Sequence, residues 1–536
     1  MILIVAVWIS RLRVLGHQNE QQHEPPTIPE KIPLVSNTYQ YITNNSAFLK
    51  RASEVLSSKK IAKFNLGNVP VYLVSGPQYI QTLLRSSSSL SSDKFILMVD
   101  ENIHNMAPGD IARLTRDRSG RHSKRPNPGY EEHPDKERLW AGLHNLFIET
   151  IAQKDATDQL ASSFSRFWGQ KLDAFPTGER REMRVFDWLK RDMAEATIAS
   201  VMGTLLLEMH PEILDGLWEF VDIALSLLYA PSPSSSPALV RWIWRKINPR
   251  PYQVRQRVHG IMADYLKEAF ERFDREGPDA NADWEPVFGS RSHREQAMFY
   301  KERGFEWGTR VGTSFGFLFG ANSNTIPMAA WAMMYIFRDP TLLQAVREEV
   351  STAALMEGGK LDVQKVLALP LLQSIYVETL RLHVALNVTR EVVSEGMVLN
   401  AEYKLPKGAL LQAPTSIAQK DETVWARDGH GANEFWAERH ITYNKLGQRE
   451  FSMVGRPSDF FPYGGGISVC PGRHFAKQEI MLSIAMLVSR FDIEFIDWTM
   501  PDGAPSDRPA EGDAKFCGAA AMPPDRDAKI SMRRRT

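Results

Sequence analysis

The sequence predicts a mainly α protein with a minor β region. Three observations carry that expectation. Apolar residues recur at helical spacing from about Glu137 to Phe273, and again over residues 311–337, 340–350 and 363–383. Strand-like runs are few and short, near residues 71–74, 388–393 and 410–413. No internal repeat divides the 536 residues.

Residues 2–9 are apolar and are followed by Arg11 and Arg13. A membrane-crossing helix needs about 20 apolar residues, so this run resembles a clipped signal anchor with its basic residues on the cytosolic side. The expected organisation is an anchor segment over residues 1–24 and one domain over residues 25–536. Pro25, Pro26, Pro29 and Pro33 stiffen the passage between them. Pro70 marks either the start of the first strand or a sheet edge. Residues 113–125 are rich in Arg and Lys and run into Pro126-Asn127-Pro128-Gly129, the pattern of an exposed loop.

Residues 230–237 read Ala-Pro-Ser-Pro-Ser-Ser-Ser-Pro, a flexible surface connection. Just beyond it Val240, Trp242, Ile243 and Trp244 alternate with Arg241, Arg245 and Lys246. Such a helix either touches a membrane interface or packs its apolar face on the core. Residues 311–337 are apolar enough to raise the question of a membrane span, but Asn322, Ser323, Asn324, Thr325 and Pro327 fall in the middle. The expectation is a central buried helix opened locally by Pro327, which removes one backbone hydrogen bond. Polar groups freed there need partners, which makes the break a candidate site.

Composition excludes several classes. Lys plus Arg and Asp plus Glu both number 64, so no global field recruits nucleic acid. Two cysteines, Cys470 and Cys517, rule out a disulfide framework and a multi-cysteine metal site. No Gly-Lys-Ser/Thr follows the triple glycine at residues 464–466, and no dinucleotide fingerprint occurs.

Cys470 is the most informative residue. It closes the run Tyr463-Gly464-Gly465-Gly466-Ile467-Ser468-Val469-Cys470-Pro471-Gly472-Arg473, and a helical pattern follows. Glycines let the backbone turn tightly and approach something large and flat. A helix N-terminus beside the sulfur favours thiolate, and a thiolate so held is a good axial ligand for haem iron. Upstream, Glu378 and Arg381 share a helical face, and Phe435-Trp436-Ala437-Glu438-Arg439 offers a second arginine. Glu378, Arg381 and Arg439 could form a buried network that pins this loop.

The order of these motifs resembles the cytochrome P450 family of haem-thiolate monooxygenases, and the resemblance covers nearly the whole chain. It implies haem b between a long central helix and the cysteine loop, with Cys470 as the metal ligand. Trp140 and His144 match a helix that contacts a haem propionate, and Arg390 matches another propionate contact. Thr325 matches the threonine of the oxygen groove, with Asn324 beside it. Substrate would meet Phe315, Phe319 and the segments 384–388 and 518–522. The family also implies electrons from NADPH through a separate reductase, docking near Arg473, His474 and Lys477. It further implies a lipophilic small-molecule substrate and the cytosolic face of the endoplasmic reticulum membrane, with no nucleic-acid partner.

Departures from the family pattern are specific. Asn324 stands where an acid is usual and Asn322 where glycine is usual. Ser468 replaces an Arg or His that binds a propionate, and Tyr463 replaces Phe. These features resemble the branch of bile-acid sterol hydroxylases and prostacyclin synthase, while the C-terminal segment resembles fungal members of secondary metabolism. That branch includes an isomerase needing no external electrons, so isomerase or dehydratase chemistry stands as an alternative, and a non-catalytic haem protein as another.

Overall fold

The computed structural model describes residues 24–535 except 34, 87, 122–124, 135–136, 235, 357–360 and 457. The anchor expected over residues 1–24 falls, but for Glu24, outside them. Among the described residues no helix is long and apolar enough to cross a membrane.

The mainly α expectation holds. Helices Lys154–Asp173, Val185–Met202, Ile213–Leu228, Pro249–Arg272, Thr325–Phe337 and Arg473–Arg490 pack around one apolar core. Thr325–Phe337 is buried on all sides, as its uniformly apolar sequence requires. Its Ala329, Ala330 and Ala332 let neighbouring helices come close, while Trp331 fills the remaining space and donates from Nε1 to the Met522 carbonyl at 2.9 Å.

The smaller β region comprises two main sheets. Five strands run in the order Ile61–Leu66, Val69–Val74, Leu410–Pro414, Asn387–Val392, Leu90–Ser91. Val69–Val74 is interior, antiparallel to one neighbour and parallel to the other. Pro70 therefore starts a strand rather than marking an edge. Pairing with Leu410–Pro414 begins only at Val71, so the missing N–H interrupts no ladder bond on that side. The second sheet joins Phe491–Thr499, Asp527–Arg534 and Arg180–Arg184. The last of these interrupts the stretch read as helical. It is polar and largely exposed, with no alternation to betray it, and exists because Asp527–Arg534 pairs with it.

Three other expectations change. Residues 311–337 form two helices, Trp307–Asn322 and Thr325–Phe337, broken at Ser323 and Asn324. Pro327 lies in the first turn of the second helix, where its absent N–H would have no partner anyway. Arg113 and Arg116 belong to helix Pro108–Arg116, and of the described residues in that stretch only 117–121 and 125 are loop. Helix Ala238–Ile247 has no buried residue and Trp242 is 59% exposed, so the core-packed alternative does not hold.

One buried acid sets a pH dependence. Glu479, on helix Arg473–Arg490, accepts from Thr197 Oγ1 at 2.8 Å through Oε1, while its Oε2 is buried without a partner. Burial pushes its carboxyl up to about 8, against the opposing hydrogen bond from Thr197. An unfolded glutamate titrates near 4.3, on the order of model peptides. Between those values the folded chain holds the extra proton, so this group removes stability as pH rises, by up to about 1.4 kcal/mol per pH unit. Replacement Glu479→Gln should flatten the fall of the unfolding midpoint over that window. An unchanged pH slope in denaturant titrations would exclude the assignment.

Candidate active site

Cys470 sits between two glycine turns and a helix. Gly464 and Gly466 adopt left-handed conformations, φ +71° and +64°, which glycine takes without strain. Gly466 also needs its missing side chain, because a Cβ there would lie 2.0 Å from the Leu84 carbonyl. The Cys470 N–H donates to the Tyr463 carbonyl at 3.1 Å, fixing the loop's closure. The side chain is exposed on one face and crowded on the others. Burial on those sides pushes the thiol up, while the N–H groups of Gly472 and Arg473 and the Arg473 charge pull it down. The helix start thus acts as expected but does not outweigh burial in the chain alone.

Two cations converge beside this loop. Arg390, on strand Asn387–Val392, donates to the carbonyls of Thr389 at 2.9 Å and Gly465 at 3.1 Å. Arg121 lies over the Trp140 ring at 3.9 Å. Its carboxylate partner Asp93 is 3.1 Å away and half exposed. Arg121 Nη1 is 3.4 Å from Ser92 Oγ, which shares a 2.7 Å hydrogen bond with Ser468 Oγ. Burial, and then the Arg121 charge, push both Arg390 and the His144 imidazole below their ordinary values. Trp140 enters this cluster through its ring face, since its indole N–H already donates to the Leu114 carbonyl at 2.9 Å.

Behind the loop, Glu378 is fully buried. Its Oε1 accepts from Arg381 Nη2 and Arg439 Nε, both at 2.8 Å, and its Oε2 from Arg381 Nε at 2.8 Å. Burial alone would raise this carboxyl, but the hydrogen bonds from Arg381, the His440 imidazole 3.4 Å away and the charges of Arg381 and Arg439 bring it down to about 2. The remaining guanidinium N–H groups reach backbone carbonyls, including those of Gln419, Ala432, Trp425 and Gly431.

In the helix break, Thr325 is buried and its hydroxyl makes no hydrogen bond within the described protein. Asn324 Oδ1 accepts from the Ala521 N–H at 3.2 Å, tying the break to the turn at residues 518–522. Asn322 is wholly buried, with Nδ2 donating to the Leu318 carbonyl and Oδ1 unpartnered. The segments expected as walls are zipped together, Ala385 N–H to Ala520 carbonyl at 2.8 Å and Met522 N–H to His383 carbonyl at 2.8 Å. Phe315 is not a wall residue. It is fully buried, its ring edge-on to Phe220 at 4.7 Å. Phe319, partly exposed, also meets Phe220, and Gly320 beside it faces open space.

The donor set fits haem. An open cysteine can take the metal, two left-handed glycines keep its loop free of side chains, and the buried Arg390 and partly buried Arg121 guanidiniums, lacking buried carboxylate partners, match a pair of propionates. The model for the family Cytochrome P450 matches residues 26–506. The chain belongs to the cytochrome P450 family. A cytochrome P450 monooxygenase of Penicillium decumbens, calL, is 42% identical over 95% of this chain and 93% of its own length. The P450 monooxygenase efuG of Hormonema carpetanum is 24% identical over 99% of this chain and 94% of its length. A human 7-alpha-hydroxycholest-4-en-3-one 12-alpha-hydroxylase is 28% identical over 44% of this chain and 47% of its length. The haem domain of a cytochrome P450DA mutant superposes with a TM-score of 0.60 at 14% identity, covering 96% of this chain and 98% of that one. This P450 is therefore a monooxygenase-family oxidoreductase, and its family brings haem, thiolate ligation and electrons from a redox partner.

Sequence reasoning missed Arg121, which hides in a loop read as solvated. The one hint was the serine at position 468, which left a propionate short of a cation. It also missed Tyr376, whose hydroxyl meets that of Tyr463 at 2.7 Å and so satisfies the group that distinguishes Tyr463 from phenylalanine. Replacement Arg121→Ala should speed haem loss to an acceptor globin by about 10- to 100-fold, the effect of one charge-assisted hydrogen bond of about 1.5–3 kcal/mol. Adding Ser468→Arg should restore retention. Unchanged haem loss in Arg121→Ala would remove Arg121 from the propionate site.

Proposed function

We propose that this P450 binds haem b through the Cys470 thiolate and inserts one oxygen atom of dioxygen into a lipophilic small molecule. Electrons would come from NADPH through a separate reductase. The observation that carries this reading is an open cysteine flanked by two cations, the buried Arg390 and the partly buried Arg121, without buried carboxylate partners. Residues 25–536 would form a single haem-thiolate domain.

Haem ligated by a thiolate supplies the activation of dioxygen. The chain's own residues do the rest. Arg121, Arg390 and the Trp140 platform orient the cofactor, with His144, held toward its neutral form, beside them. Thr325 holds a proton at Oγ1 and passes it on with water, since Asn324 cannot shuttle one as a carboxylic acid does. Asn324 instead positions the wall through Ala521. Asn322 Oδ1 offers a buried acceptor to such a water. Phe319 and the zipped segments 384–388 and 518–522 exclude water around an apolar substrate. The sterol hydroxylase and fungal monooxygenase relatives favour a terpenoid, sterol-like or polyketide scaffold from secondary metabolism. Leu239, Trp242 and Ile247, exposed among Arg241, Arg245 and Lys246, suit a membrane interface, consistent with the cytosolic face of the endoplasmic reticulum.

Asn324 favours one second reading, an isomerase or dehydratase independent of a reductase, because the residue in the usual acid's place is engaged in structure. Metabolite profiling under isotopic dioxygen, comparing the native strain with one carrying Cys470→Ser, separates the two. A lost product bearing one heavy oxygen, with a precursor lacking it, is expected, along with loss of the thiolate-type ferrous–CO band in the variant. A lost product equal in mass to its precursor would establish the isomerase. Replacement Thr325→Ala should lower product formed per NADPH consumed several-fold. Unchanged coupling would mean that water alone delivers the protons.

A further inference from the structure

One cavity lies away from the cysteine loop. It encloses roughly 340 Å³ between the segments at residues 101–108 and 227–233, and its lining includes Arg245, Tyr252, Arg255, Asn105, Met106 and Leu227. That volume lies within the range of small-molecule sites, about 300–1,000 Å³. Gly308 also borders it. Gly308 lies in the first turn of helix Trp307–Asn322, 14 residues or about 21 Å at about 1.5 Å per residue from the end beside Thr325, so this cavity is distinct from the oxygen groove.

Arg255 is the unusual member. It is 8% exposed, and its Nη1–H donates to the Asn102 carbonyl at 2.6 Å. Its Nε and Nη2 are neither bonded within the described protein nor sealed off. Among the described residues no carboxylate pairs with Arg255 or Arg245. The nearby acids are engaged elsewhere: Glu101 with the Ser234 N–H at 2.9 Å, Asp100 with His104 Nδ1 at 2.9 Å. The guanidiniums of Arg255 and Arg245 lie 5.5 and 5.0 Å from the Tyr252 ring centroid. Burial, followed by the Arg245 charge against the opposing effect of Tyr252, brings Arg255 down to about 10. A buried charge without an opposite partner is costly, and holding one carbonyl in place does not require a guanidinium.

We propose that this cavity is a subsite for the carboxylate of a lipophilic acid, with Arg255 as its buried anchor and Arg245 beside it. The inference rests on the reading of this P450 as acting on lipophilic small molecules, and narrows their class to acids. A single negative charge matches one unpaired buried cation, and Glu101 in the lining disfavours a phosphate dianion. The planar carboxylate suits the free N–H edge of Arg255, while Met106 and Leu227 meet the apolar body.

Calorimetric titration of the haem-loaded full chain with dodecanoate and 1-dodecanol, both below micelle formation, tests this. The wild type should bind dodecanoate at least tenfold more tightly than dodecanol. Arg255→Gln should abolish that preference, and Arg255→Lys should keep part of it. Arg245→Gln, which leaves the Asn102 contact intact, should weaken dodecanoate about threefold and guards against misfolding of the Arg255 variants. Absence of dodecanoate binding in the wild type, or a preference surviving Arg255→Gln, would overturn the proposal. Dodecanoate preference without incorporation of isotopic oxygen into any product would retain the subsite and discard the monooxygenase reading; the converse would discard the subsite alone.

Discussion

Glu378 is a carboxylate without access to water, and the haem-side loops hang from it. Through Arg381 it reaches the carbonyls of Gln419 and Ala432, and through Arg439 those of Trp425 and Gly431. Gln419 passes the connection on, its Oε1 accepting from the Phe461 N–H at 3.1 Å. Phe461 in turn accepts from Gly464, at the start of the cysteine loop. Removing three charges from water is costly, and the arrangement is tolerable because almost every N–H and lone pair finds a partner. The network fixes which carbonyls face inward, and so fixes the register of the loops.

Close backbone approach is the second constraint, and glycines meet it at two places that matter. Gly466 lets the cysteine loop lie directly on Leu84. Gly312 does the same for the central helix, where a Cβ would lie 1.7 Å from the His104 carbonyl, so the segment carrying His104 rests on helix backbone. The seating of the cysteine loop and of helix Trp307–Asn322 therefore depends on contacts too tight for any larger residue.

Much of this was legible in the sequence, and the limits have physical causes. Glu378 and Arg381 could be read because charges on an otherwise apolar helix must find each other. Cys470 could be read because glycine, cysteine and a following helix form a local chemical unit. The break at Ser323 was displaced by the reading of Pro327 as its cause, although a proline in a first turn disrupts nothing. Arg121 was illegible because its meaning arises from Trp140 and Ser92, which reach it only in the folded chain. Nothing in the sequence singles out Arg255; what sets it apart is that the nearby acids, Glu101 and Asp100, are bonded to other groups, a tertiary fact. Strand Arg180–Arg184 was hidden for the same reason, its partner lying far along the chain.

The tie between Asn324 and Ala521 spans 197 residues, and Trp331 reaches Met522 across 191. During synthesis the central helix pair emerges long before the turn that completes its groove. Until that turn arrives, the Asn324 carboxamide and the indole of Trp331 must be satisfied by solvent, and the apolar face around them stays uncovered. Such long-range closure is slow, because the entropy of bringing distant segments together opposes it. The burial of helix Thr325–Phe337 is thus completed only when the segment near residue 521, among the last of the chain to be made, has docked on it.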